Sequence, residues 1–165
     1  MPNWFKPQKI ISGGQTGVDR AALDVAISQG ISHGGWCPRG RRAEDGVIDS
    51  RYQLQETEEG EYAVRTERNI QEADATLILC QSEPQGGTRL TVQFARRHDK
   101  PCLIVRLDEK GLVDSVDTAR DWLDSLRPAT LNVAGPRESQ APGIYAEARE
   151  FLEKVLRERG RRNDE

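Results

Sequence analysis

The chain is poor in most of the residue types that carry recognisable catalysis. Of its 165 residues, three are Cys, two are His, one is Met and 5% are aromatic. The thiols, Cys37, Cys80 and Cys102, are odd in number and fit no zinc spacing. That favours free thiols in a reducing compartment over a disulfide framework. His33 and His98 stand apart from any nucleophile, so no triad is legible and no catalytic or metal-binding residue is expected. His98, in Arg96-Arg97-His98-Asp99-Lys100, reads as a solvated helix end. No apolar run is long enough to cross a bilayer, and the N-terminus lacks an apolar signal core. A cytoplasmic location without a membrane partner is expected. The 24 basic and 27 acidic residues nearly cancel, to a net charge of −3. No overall field argues for nucleic acid.

What is present is a regular alternation. Short stretches at 9–12, 75–80, 102–107 and 130–134 read as strands, and the less apolar 31–35 as one more. The strongest are continuous rather than alternating, as in strands buried on both faces of a parallel sheet. Between them, Val18, Ala22, Val25 and Ala26 share a helix face that Gly30 terminates. Leu90 with Phe94 suggests a second helix. Leu112, Val116, Ala119, Leu123 and Leu126 give a third, and Ile144, Ala148, Phe151, Leu152 and Val155 a fourth. The pattern predicts a three-layer α/β sandwich with a mostly parallel central sheet of about five or more strands and helices on both faces. One domain is expected over 1–160, with 161–165 a frayed tail. From Trp36 to about Glu61 the period fades into a long irregular stretch, a length that in compact domains tends to be functional.

Glycine is concentrated where such a sheet binds ligands, after the carboxyl ends of its strands. The first strand runs into Gly13-Gly14-Gln15-Thr16-Gly17 and then a helix. The third is followed by Gly86-Gly87-Thr88-Arg89, and the fifth by Gly135-Pro136-Arg137-Glu138-Ser139. Bare backbone at a helix N-terminus suits an anion. The spacing G-G-x-x-G is neither the dinucleotide fingerprint nor the triphosphate loop. Backbone N–H groups at Gly13–Gly17 and Gly86–Thr88 are expected to cradle the anion, with Arg39, Arg41, Arg89 and Arg137 as charge partners. Hydroxyls of Thr16, Thr88 and Ser139 would add hydrogen bonds. In a second polar cluster, Tyr62, Arg65, Thr66, Glu67, Arg68 and Asn69, the four-residue spacing of Arg65 and Asn69 suits one helix face. The cluster reads equally well as surface ion pairing. Asp19, Glu44, Asp45 and Glu67 have the chemistry to hold a cation or act as a base, but spacing prefers none of them and caps or salt bridges are the default.

Over nearly the whole length, SGGQTGVDRAALDVA, HGGWCPRGRRAEDGVI, YAVRTERNIQEADATLIL, GGTRLT and LNVAGPRESQAPGIY resemble the molybdenum cofactor carrier protein family. The resemblance implies a Rossmann-like fold and kinship with lysine-decarboxylase-like nucleotide-binding proteins. It also implies a homo-oligomer, tetramer or dimer, that holds the molybdenum cofactor (molybdopterin) as cargo, with molybdenum enzymes as acceptors. The flat pterin would lie against Trp36 or a polar edge such as Asn69 or Asn132, and its own dithiolene would hold the metal. A binding protein rather than an enzyme is expected. Two alternatives stay open. The related phosphoribohydrolases cleave nucleoside monophosphates with P-G-G-x-G-T-x-x-E; here Thr91 stands near the place of the Glu. A sensor of a nucleotide-like ligand needs no such acid.

Overall fold

The most apolar run becomes β7 (Ala75–Cys80), whose six residues are all buried. It is flanked by β8 (Cys102–Arg106) and β9 (Thr130–Ala134), with β1 (Lys9–Ile11) beyond β9 and β2 (Ser32–Gly34) at the far edge. The order is β2-β1-β9-β7-β8 and every pairing is parallel. This is the α/β, Rossmann-like sandwich that the alternating pattern predicts. The structure, a computed structural model, describes residues 5–107 and 112–157, and of 112–114 only the backbone. The tail expected at 161–165 and the inward face of Leu112 lie outside it.

The last strand sits in the middle. Counted from β9 instead of β1, the spatial order reads 3-2-1-4-5, that of a doubly wound nucleotide-binding sheet. The chain thus follows that topology with its start moved by one βα unit. The order reverses between β9 and β7, which places a ligand crevice at their carboxyl ends.

Helices α1 (Val18–Ser28), α4 (Leu112–Leu126) and α5 (Ile144–Leu156) cover one face. Their apolar stripes, including Val25, Leu123 and Phe151, pack on Ile10, Leu77, Leu79, Leu131 and Val133 in the main core. The other face carries α2 (Tyr62–Glu72) and α3 (Gly86–Arg97), joined by a small cluster of Ile70, Phe94 and Ala95. Helix α2 has no apolar stripe, because among its residues only Asn69 and Ile70 are buried. Its existence was therefore hidden from a search for apolar periodicity.

The stretch from 36 to 61 is not irregular, contrary to the sequence reading. It forms β3 (Trp36–Cys37) parallel to β6 (Gln55–Glu56), and a hairpin of β4 (Arg42–Ala43) with β5 (Gly46–Val47). Cys37, Ile48 and Tyr52 pack against Leu23 of α1 in their own small core. These apolar residues are too widely spaced to show a period. His98 is also not a solvated end: its Nε2 lies 3.1 Å from Glu67 Oε2 and ties α3 to α2.

Candidate functional site

A crevice of about 280 Å³ opens at the carboxyl ends of β1, β9 and β7, where the strand order reverses. A second hollow of about 410 Å³ follows the loop from Cys80 to Gly86. The two share Thr88, Pro136 and Gln140 as a common wall. The N-terminus of α3 stands at this junction. No side chain caps it. The Thr88 N–H donates to the Gln85 carbonyl at 3.0 Å, which leaves the Gly86 and Gly87 amides as the orphans of its first turn.

The three glycine turns play different parts. A Cβ on Gly13 would lie 1.4 Å from Arg65 Nη1, so its bare face receives a guanidinium of the same chain. A Cβ on Gly14 would meet Leu54 and Ile48. Gly17, at φ +79°, would press one within 2.4 Å of the Pro136 carbonyl. Open backbone lies instead at Gly86 (φ +52°) and Gly87, where a Cβ would meet nothing within 4 Å.

Of the residues expected from sequence, Gly13, Gln15, Gly87, Thr88, Asn132, Gly135 and Arg137 line the first hollow, and Gly86 lines the second. Gly14, Thr16, Gly17 and Ser139 line neither hollow. Arg41 spends its guanidinium on the carbonyls of Ile48, Asp49, Tyr52 and Leu54. Arg39 and Arg89 are exposed, line neither hollow and have no side-chain partner among the described residues. Trp36 stacks on Arg68, with its ring centroid 4.4 Å from the guanidinium carbon. The Asn69 amide is taken up by the Trp36 N–H and carbonyl.

The crevice also contains residues that the sequence argument did not put in the site: Asp19, Tyr62, Arg65, Thr66 and Gln140. Tyr62, Arg65, Thr66 and Asn69 are spaced i, i+3, i+4, i+7. That helical period, written in polar residues, is the signal that could have found them. Arg65 and Asp19 form a buried pair at 3.2 Å, with side chains 11% and 8% exposed. Burial pushes the Asp19 carboxyl up, outweighing the pull of Arg65, the Gln15 N–H and Arg20. Arg65 Nε is buried without a hydrogen-bond partner among the described residues. Buried donors are rarely left so.

Next to the crevice, the tip of the β4–β5 hairpin reaches across two glycine loops. Glu44 Oε1 accepts from the Thr16 hydroxyl and, at 3.1 Å, from the Ser139 N–H. Its Oε2 accepts from the Ser139 hydroxyl and lies 3.4 Å from Arg137 Nε. Burial works to raise the Glu44 carboxyl, but these donors win and hold it below the usual range. Asp45 clasps Arg20 at 2.9 Å. The thiols are packed. Burial raises Cys37 and Cys80, and pushes Cys102 up to about 11. Among the described residues no group of three or more His, Cys, Asp or Glu is placed to hold a metal ion. No helix there is long and apolar enough to cross a membrane.

Comparison with known proteins fits this topology. Residues 10–156 match the model of the circularly permutated YpsA SLOG family. A crystal structure of a provisionally named molybdenum carrier protein from Syntrophus aciditrophicus superposes with a TM-score of 0.90. It is 44% identical, over 93% of this chain and 97% of that one. No curated protein matches. The chain belongs to the circularly permutated YpsA SLOG family.

Proposed function

We propose that this family member is a carrier that holds the molybdenum cofactor, or a similar phosphate-bearing anionic ligand, in the switch-point crevice. The observation that carries the reading is the junction of the two hollows. There the open backbone of Gly86 and Gly87 heads an uncapped helix, beside a buried guanidinium with an unpartnered Nε. A phosphate fits the amides of Gly86 and Gly87 and the Thr88 hydroxyl, the Thr88 N–H being spent on the Gln85 carbonyl at 3.0 Å. Asn132, Gln140 and Thr66 offer hydrogen bonds to the edge of a heterocycle, and Tyr62, at the mouth, offers it a ring face. The name of the similar crystal structure supplies the choice of cargo. No metal ligand set is asked of the chain, since the cofactor's dithiolene holds its own metal.

The same reading takes residues 1–160 as one ligand-binding domain. It places the protein in the cytoplasm as a homo-oligomer that passes its cargo to a molybdenum enzyme. The test is to purify the protein from cells with and without cofactor synthesis, oxidise it and record pterin fluorescence. Fluorescence is expected only from the first. Equal background in both, with no uptake of added cofactor, refutes the carrier.

A second reading, hydrolysis of nucleoside monophosphates in the same crevice, has Asp19 in its favour, a carboxyl whose proton burial makes harder to lose. Against it, Thr91 stands where the hydrolase acid is expected, and its hydroxyl donates to the Gly87 carbonyl. Release of free base that disappears in Asp19→Asn would establish it. No release from the wild type removes it.

A further inference from the structure

The Glu44 carboxylate occupies a set of donors that would serve an external oxyanion equally well. Two hydroxyls, one backbone N–H and one guanidinium converge on its two oxygens. They come from the loop after β1 and the loop after β9, the two strands nearest the switch point on that side. Thr16 also lies beside Gly17, the uncapped N-cap of α1, where a helix dipole favours negative charge. Arg137 belongs both to this cluster and to the crevice wall.

The element that delivers Glu44 is weakly held. The β4–β5 hairpin has two residues per strand, and Val47 is 76% exposed. Two strands of that length have no stability of their own in water. The base of the hairpin is held by its two rungs, by Ala43 against the small core and by Arg42 donating to the Gly60 carbonyl. The tip itself is fixed by what Glu44 and Asp45 grasp, together with the Glu44 N–H, which donates to Gln15 Oε1 at 2.8 Å. Gln15 is itself on the crevice wall. The tip can therefore be exchanged at small structural cost, and its release frees donors on the rim of the ligand crevice.

We propose that Glu44 is an internal competitor: Thr16, Arg137 and Ser139 form a second anion position, which a phosphate-class oxyanion takes by displacing the Glu44 carboxylate and releasing the hairpin tip. A phosphate group carries more charge than a carboxylate and has three acceptor oxygens, so it can use all four donors and gain more from Arg137. The position would accept a second anionic group of a ligand, or a free oxyanion. The proposal rests on the crevice being an anion-binding site, but not on which cargo fills it.

Inorganic pyrophosphate is the probe, with affinity measured by calorimetry on the full chain. Glu44→Ala should bind it about tenfold more tightly than wild type, the worth of one charge-assisted hydrogen bond. Asp45→Ala, which loosens the same hairpin but leaves the Glu44 carboxylate on the donors, should gain clearly less than Glu44→Ala. Adding Thr16→Val and Ser139→Ala to Glu44→Ala should abolish the gain. In the wild type, saturating pyrophosphate should speed amide hydrogen exchange at residues 43–46. No gain in Glu44→Ala, a gain that survives loss of both hydroxyls, or unchanged exchange at the tip overturns the proposal. If Glu44→Ala does not fold, the wild-type exchange result decides alone. A chain that shows the gain but never acquires pterin keeps this inference and loses the carrier. The reverse outcome keeps the carrier and loses the inference.

Discussion

Glycine residues that look alike in sequence have different jobs here, and the difference is measurable. Gly13 is bare because Arg65 lies against it. In Gly13→Ala the guanidinium must move off and leave its 3.2 Å pair with Asp19. Breaking a buried pair costs about 3 kcal/mol, and urea unfolding should show a loss of that order. Gly86 has a left-handed φ of +52° but open space around it. Gly86→Ala should cost only the conformational strain, about 1 kcal/mol, while weakening ligand binding. Equal losses from the two substitutions would contradict this division. A substitution at Gly14 is a folding test, since its side chain would strike Leu54 and Ile48.

At the scale of the element, the segment from 36 to 61 is held less by its small core than by polar staples. Arg41 is the main one, donating to four carbonyls of the 48–54 turn. Planar, forked donation is something an ammonium cannot copy. Arg41→Lys should therefore lower stability by about 2–3 kcal/mol and raise amide exchange selectively at 48–54. Exchange that rises evenly over the whole chain would argue against a local staple. His33 is a second staple: its Nε2 accepts from the Gln53 N–H at 3.1 Å. Burial pushes the imidazole below its ordinary value of 6.5, and the Lys9 charge adds to this, against a hydrogen bond to Arg51. A group depressed in the folded state contributes stability above its unfolded pKa and loses it as the pH falls. The contribution should thus be intact above about pH 7 and decline below 6.5. Gln in place of His33 keeps an acceptor that does not titrate. The fall of Tm with acid should be shallower in His33→Gln, and superimposable curves would exclude the mechanism.

For the whole molecule, the permuted order has a direct consequence. The contacts of the sheet do not depend on which unit comes first. A chain opened between Arg127 and Pro128, with residue 157 joined to residue 5 by a flexible linker, runs in the unpermuted strand order. It keeps the bonds from the Gln8 and Lys9 N–H groups to the Ala129 carbonyl. It should show the same far-ultraviolet circular dichroism and a Tm within about 5 °C of the parent. Loss of cooperative unfolding would mean that β9 depends on its place in the chain.

Much of this was legible before any coordinates. Strands buried on both faces must be apolar throughout, so β7 stood out as a continuous run near its observed bounds, whereas the edge strand β2, Ser32–Gly34 and partly exposed, left only a weak signal. Helices that cover the main core carry their stripe in the sequence, and the glycine turns announced the crowded edge. Helix α2 was not legible from apolar periodicity, because its informative face is polar and turned to the crevice; only the four-residue spacing of Arg65 and Asn69 pointed to it. Nor were the fates of Arg41 and Glu44. A charged residue in a loop reads the same whether it meets a ligand, water or the chain's own carbonyls and hydroxyls. Only the tertiary structure decides which, because the partners of Glu44 lie 28 and 95 residues away. The sequence by itself determined the layers and the edge where the crevice opens. The tertiary structure decided that β9 lies at the centre, that the open backbone is at Gly86–Gly87, and that Gly13 makes room for an arginine of the same chain.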